Sequence, residues 1–172
     1  MSRKPARAGT LRGKYEILLK RLAAELKSFY GSRLVSIVIF GSVARGAPRE
    51  DSDVDVLIVA DRLPDGRMNR VGEFATVQKA LRADLHALEV DGVFTSLAPV
   101  FKTPAEVKRG SLLFLDMIDD GCILYDREGF WRAYLRDFKR RLRRLGARKV
   151  KDGDRWYWDL KPDYKIGDVF EI

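Results

Sequence analysis

The chain of 172 residues contains one cysteine, Cys122, and one histidine, His86. A single cysteine excludes an intramolecular disulfide and a cysteine-rich zinc site. His86 has no second histidine or cysteine cluster to make it a metal ligand, and it reads as a surface or capping residue. No apolar run approaches the roughly 20 residues needed to cross a bilayer, so no membrane association is expected. The basic start, Met1 to Gly9, is followed by no apolar segment and does not read as a secretory signal. A cytoplasmic protein is the expectation. Apolar residues at 46 % are ordinary for a globular chain with a core of its own.

The charge is placed unevenly. Between Arg127 and Arg155, 12 Lys/Arg stand against 4 Asp/Glu, which accounts for the whole net charge of +8. Such a stretch either generates a positive field that favours a polyanionic partner or forms a solvated, arginine-rich helix with none.

Periodicity orders the rest. Thr10 can cap a helix to about Tyr30, with Leu11, Tyr15, Leu18, Leu22, Leu26 and Phe29 on one face, and Gly31 ends it. Leu34 to Phe40 is a nearly unbroken β-branched and aromatic run, the pattern of a buried strand. A polar loop from Gly41 to Asp51 leads to a second strand, Asp53 to Val59. One helix is predicted from about Met68 to Leu88. A third strand is predicted over Val93 to Phe101, beginning as early as Val90. Thr103-Pro104-Ala105-Glu106 is a capping box with proline at the first helical position. Helix follows in one or two pieces to Asp119, then a strand from Cys122 to Tyr125 and a basic helix from about Phe130 to Leu145. These elements predict an α/β (α+β) fold, a small mixed sheet packed with helices. The expected organisation is a core with its N-terminal helix over 1–126 and a basic helical extension over 127–172. Trp156, Tyr157 and Trp158 either stack on bases or anchor the tail. Asp116, Asp119 and Asp120 read as a solvated helix end.

The stretch that carries chemistry is Gly41-Ser42-Val43-Ala44-Arg45-Gly46 followed by Asp51-Ser52-Asp53-Val54-Asp55. Gly41 lets backbone and phosphate approach closely. Ser42 can offer a hydroxyl and a backbone N–H to phosphate, especially if a short helix begins there. Asp53 and Asp55, two apart on a strand, point to one face with Cα atoms roughly 7 Å apart. Two carboxylates so placed are hard oxygen ligands suited to Mg²⁺ (or Mn²⁺), which also draw ligands from substrate phosphates.

Gly-Ser, ten residues, then Asp-x-Asp resembles the signature of the DNA polymerase beta nucleotidyltransferase superfamily, particularly its minimal nucleotidyltransferases. The likeness is close over Leu34 to Val59 and looser to about Tyr125. It implies the polymerase beta-like nucleotidyltransferase fold, with Gly41 and Ser42 holding a triphosphate and Asp53 and Asp55 binding metal. Arg45 either touches phosphate or braces the loop. Active members bring a third carboxylate from a later strand, and Val90-Asp91-Gly92-Val93 makes Asp91 the candidate if the strand begins at Val90. The implied activity is Mg²⁺-dependent transfer of a nucleoside monophosphate, AMP being favoured, from an NTP such as ATP to a hydroxyl. The acceptor would be nucleic acid, protein or a small molecule, and the basic helix, through Arg140, Arg143 and Arg144, favours a nucleic acid or an acidic protein. The resemblance also extends to antitoxins that modify a HEPN-type toxin partner. The alternative is a weak or inactive nucleotide- or nucleic-acid-binding module of the same fold.

Overall fold

The computed structural model describes residues 10–153, 155–165 and 169; the side chain of Trp156 and the basic start lie outside the described residues. Helix α1 spans Leu11–Tyr30 and is capped by Thr10, whose hydroxyl accepts from the Gly13 N–H at 3.2 Å. Its face of Tyr15, Leu18, Leu22, Leu26 and Tyr30 is buried. Strand β1, Leu34–Phe40, has the predicted bounds and is buried along its whole length. A one-turn helix α2, Gly41–Ala44, follows it directly, and strand β2 is Val54–Ala60.

The helical stretch after β2 is broken into α3, Arg67–Ala80, and α4, Arg82–Val90, at the fully buried Leu81. Strand β3, Leu97–Lys102, begins later than the sequence pattern suggests. Helix α5, Pro104–Lys108, opens on the expected reciprocal cap between Thr103 and Glu106. A 3₁₀ stretch, Leu112–Met117, replaces further α-helix before strand β4, Cys122–Asp126. Helix α6, Phe130–Arg144, is followed by a hairpin of β5, Arg148–Asp152, and β6, Arg155–Asp159.

The main sheet has the order β3-β2-β1-β4. β1 is antiparallel to both neighbours, while β2 and β3 are parallel, joined by the α3–α4 crossover. It is the small mixed sheet packed with helices that the element order suggests. Alternation along β2 divides the core. Val54, Val56, Ile58 and Ala60 pack with α1 and with Phe74, Val77 and Leu81 on one face. Leu57 and Val59 pack on the other with Phe114, Met117, Trp131, Phe138 and Leu142. Helix α6 therefore covers the second face of the sheet with its aromatic stripe and turns Arg132, Arg136, Arg140, Arg143 and Arg144 outward, while Arg141 lies over the Tyr134 and Phe138 rings.

A partly buried ion pair ties α3 of the crossover to α5. Arg70 meets Glu106 in a two-pronged contact at 2.8 and 3.0 Å, and the Thr103 N–H adds a bond at 2.7 Å. The Arg70 bonds, followed by the Thr103 N–H, hold the Glu106 carboxyl down at about 2. A carboxyl depressed in the fold stabilises it above its unfolded value, and that stabilisation is lost as pH falls through the folded value. Urea melts at pH 6 and near pH 3 are expected to show a loss of stability in the wild type. Glu106→Gln should be less stable at pH 6 and should show a smaller further loss on acidification. An equal acid loss in both proteins would deny the pair this role.

Candidate active site

Four strand ends meet at one edge of the sheet. β1 ends at Phe40, paired with Asp55, and hands the chain to Gly41. Gly41 has φ +73°, and a Cβ built there would stand 2.2 Å from Asp55 Oδ2. The glycine thus makes room for the Asp55 carboxylate itself, beyond any room it makes for phosphate. Asp55 is half-buried and on the same side of β2 as Leu57 and Val59. Burial raises its pKa first, then the charge of Asp53; Arg45 lowers it, and Asp116 raises it again. Arg45 is exposed, and its guanidinium has no ion-pair partner among the described residues. Ser42 is partly exposed in α2.

Asp53 stands one residue before β2 and is exposed. Its Oδ1 accepts from the Ser96 N–H at 3.2 Å and from the Ser96 hydroxyl at 2.7 Å. Ser96 is next to Leu97, which pairs with Val54, so it sits beside Asp53 on the neighbouring parallel chain. The loop before Asp53 is fixed from below. Tyr15 of α1, 2 % exposed, donates from its hydroxyl to the Ser52 carbonyl at 2.7 Å and approaches the Arg49 carbonyl at 3.1 Å. Thr95 donates to the same Ser52 carbonyl at 2.7 Å, and Ser52 Oγ accepts from the Arg49 N–H at 2.9 Å. In the sequence Tyr15 is one more residue of an apolar stripe; its hydroxyl among aliphatic positions is the signal that it holds a polar group.

Asp91 requires a correction. It caps the C-terminus of α4 and lies on no strand, because Gly92 at φ +79° turns the chain before β3. Its carboxylate pairs with Lys14 of α1 at 3.2 Å, and the same lysine donates to its carbonyl at 3.1 Å. The structure brings Gly41, Ser42, Arg45, Asp53 and Asp55 to one edge and keeps Asp91 at the end of a helix. Arg140, Arg143 and Arg144 of α6 are exposed. Arg140 is tied to Asp137 at 2.8 Å, whereas Arg143 and Arg144 have no ion-pair partner among the described residues.

An open groove of about 1170 Å³ begins at Asp53 and Ser96 and runs along α3 and α4, past Lys79, Arg82, His86 and Phe94. Gly41 and Ser42 do not line it. The site therefore offers a glycine-serine turn on one side of the carboxylate pair and a groove on the other. Two like-charged carboxylates stand side by side at the start of β2, and among the described residues Arg45 is the cation that acts on the half-buried member. That donor set fits a divalent cation whose remaining ligands come from substrate phosphates. No group of three potential ligands converges on one point among the described residues.

A glycine-serine turn beside two carboxylates at a sheet edge can seat a divalent cation together with substrate phosphates. The chain belongs to the nucleotidyltransferase domain family, whose model matches residues 19–172. It is a nucleotidyltransferase, an enzyme that transfers a nucleoside monophosphate. It is 30 % identical over 141 residues to a "putative protein adenylyltransferase" of Methanocaldococcus jannaschii, covering 81 % of this chain and 90 % of that one. A second protein of the same description and organism is 48 % identical over 46 residues, 27 % of this chain and 46 % of that one. Among solved structures, the toxin–antitoxin MntA-HepT is similar with a TM-score of 0.47 and 14 % identity, over 76 % of this chain and 88 % of that one. No helix among the described residues is long and apolar enough to cross a membrane.

Proposed function

We propose that the protein transfers AMP from ATP to a hydroxyl of an acidic protein, with Asp53 and Asp55 holding Mg²⁺ or Mn²⁺. The observation that carries this reading is the pair of carboxylates kept together beside Gly41 without a matching number of cations. A bound divalent ion supplies neutralisation of the triphosphate and of the leaving pyrophosphate. The protein's own residues do the positioning. Gly41 and Ser42 cradle phosphate, Arg45 is free to meet a phosphate oxygen, and Ser96 and the Tyr15–Ser52 contact fix Asp53. The groove beyond Asp53 receives the acceptor. AMP and a protein acceptor are supported by the described activity of the 30 % identical relative.

The acidic character of the acceptor is supported by α6. That helix begins at Phe130, where the Trp131 N–H donates to Asp126, the end of β4 that pairs with Ser36 at the end of the sheet remote from Gly41. The chain after it returns toward Gly41, where Lys149 of β5 meets Asp119 at 3.1 Å just before β4. The unpaired Arg143 and Arg144 lie at the end of the helix that leads there. The same arginines favour a second reading, a nucleic-acid acceptor, whose binding would weaken steeply with salt.

Each labelled NTP with Mg²⁺, host extract and RNA should be presented to the wild type and to Asp53→Ala/Asp55→Ala. Transfer of label from ATP to a protease-sensitive product by the wild type alone is the expected result. A nuclease-sensitive product, its formation weakened in Arg140→Glu/Arg143→Glu/Arg144→Glu, would move the assignment to nucleic acid. Equal labelling by the double variant would sink the assignment of Asp53 and Asp55.

A further inference from the structure

We infer that Lys79 and Arg82, at the junction of α3 and α4, bind a carboxylate of the acceptor while its hydroxyl lies at Asp53. They are then the residues that select the acceptor. The inference rests on the transferase reading and adds to it what the groove takes: an extended protein segment with an Asp or Glu near the modified hydroxyl.

One wall of the groove is rigid. Phe94, Thr95 and Ser96 are each bonded to the loop that delivers Asp53. The Phe94 N–H donates to the Glu50 carbonyl, the Thr95 hydroxyl to the Ser52 carbonyl and the Ser96 hydroxyl to Asp53 Oδ1, each at 2.7 Å. A run pinned at three consecutive residues holds its outward groups in fixed places. The Phe94 ring, 62 % exposed, is one of them. A large aromatic side chain left outside the core on a pinned backbone is the kind of anchor that interfaces bury.

The other wall comes from the break between α3 and α4. Leu81 is fully buried there, and Lys79 and Arg82 on either side of it are exposed and line the groove. Neither has an ion-pair or hydrogen-bond partner among the described residues. The acids of α4 are engaged elsewhere: Asp84 pairs with Arg21 at 3.5 Å, and Glu89 faces His86 at 3.5 Å. Two unanswered cations thus share a groove with Asp53, and a cleft so charged draws an anionic group. The planar fork of Arg82 matches a carboxylate, and Lys79 adds a point charge.

The rest of the groove favours a polypeptide. Its volume of about 1170 Å³ exceeds the roughly 300–1,000 Å³ of a small-molecule pocket. Ala83, Leu85 and Val93 give it apolar lining beside the Phe94 ring. A nucleic acid carries a phosphate at every residue and is held by a track of cations; here it would set phosphates against Glu89. A segment with apolar side chains and one acidic side chain matches the lining group by group.

Wild type, Lys79→Glu/Arg82→Glu and Phe94→Ala should be given Mg²⁺, host extract and ATP labelled at the α-phosphate, with Mg²⁺–ATP binding followed by calorimetry. Lys79→Glu/Arg82→Glu turns attraction into repulsion and should lower protein labelling by about tenfold or more, with the ATP affinity of the wild type. Phe94→Ala should show a smaller fall at the same affinity. Labelled peptides, identified by mass spectrometry, should carry an Asp or Glu within a few residues of the modified hydroxyl. A synthetic copy of such a peptide with that acid replaced by lysine should be a poor acceptor for the wild type. It should be a better one for Lys79→Glu/Arg82→Glu, a gain that a damaged fold cannot give. Equal labelling by wild type and Lys79→Glu/Arg82→Glu overturns the inference and leaves the transferase reading standing, as do labelled sites without an acidic neighbour. A fall in ATP affinity that matches the fall in labelling makes the pair a nucleotide contact and overturns it too. A labelled product sensitive to nuclease overturns the assignment of the groove to a protein segment. A wild type that binds nucleotide and labels neither protein nor nucleic acid overturns the transferase reading and this inference with it.

Discussion

Replacing Gly41 by alanine is expected to lower transfer by at least about 10²-fold while costing the fold little. The new methyl would stand 2.2 Å from Asp55 Oδ2, far inside any real contact, and the nearest obstacle is the group proposed to hold the metal. Either the carboxylate moves or the turn does, and a displacement of about 1 Å in a positioned group is enough for a 10²-fold loss. A left-handed conformation costs a non-glycine residue roughly 1–2 kcal/mol, a small part of the stability of a domain this size. Gly46→Ala separates the two effects. Gly46 also has positive φ, +70°, yet a Cβ there meets nothing within 4 Å. It should show the backbone cost in a thermal melt and keep most of the transfer. If both variants lost transfer alike, the close approach of Gly41 to Asp55 would not be the cause.

The segments legible in the sequence were those where one physical signal acts alone. β1 could be bounded to the residue because a run buried on both faces has no competing period, and the cap at Thr103 because both partners of the capping box lie within four residues. The stretch from Val90 to Ser96 was not legible. Val90-Asp91-Gly92-Val93 alternates like a strand, but Gly92 at φ +79° serves as the stop of α4, and local alternation cannot tell these apart. The break at Leu81 has no proline or glycine to announce it. The β5–β6 hairpin did carry a signal in Asp152-Gly153, a dipeptide suited to a tight hairpin turn, masked by the heavy charge on both strands. The roles now given to Ser96 and Tyr15 depend on which chain lies beside β2 and which helix covers it. Those are long-range facts that no spacing in the sequence encodes.

Trp131→Ala is the substitution with the largest expected effect on stability, and it bears on the organisation of the chain. Trp131 is fully buried. Its ring meets Phe114 edge-on at 5.2 Å and stacks on Tyr134 at 5.4 Å, and Tyr134 stacks in turn on Phe138. Truncating a buried tryptophan costs about 3–5 kcal/mol, a large fraction of the about 5–15 kcal/mol that holds a typical domain. At roughly 2–4 °C per kcal/mol for a chain of this length, the melting temperature should fall by about 10 °C. Trp131→Phe should be milder, since it keeps most of the ring and removes an indole N–H that is buried without a partner. The same cluster holds the 3₁₀ stretch, since Phe114 packs on Trp131. Below its own melting temperature, Trp131→Ala should keep both nucleotide affinity and turnover, because Gly41, Asp53 and Asp55 are held by β1 and β2 and by α1. A turnover that stayed at the wild-type value in the folded variant would show that the aromatic layer of α6 stabilises the sheet without positioning the site. A parallel loss would make α6 a support of the catalytic edge, reached through the second face of the sheet.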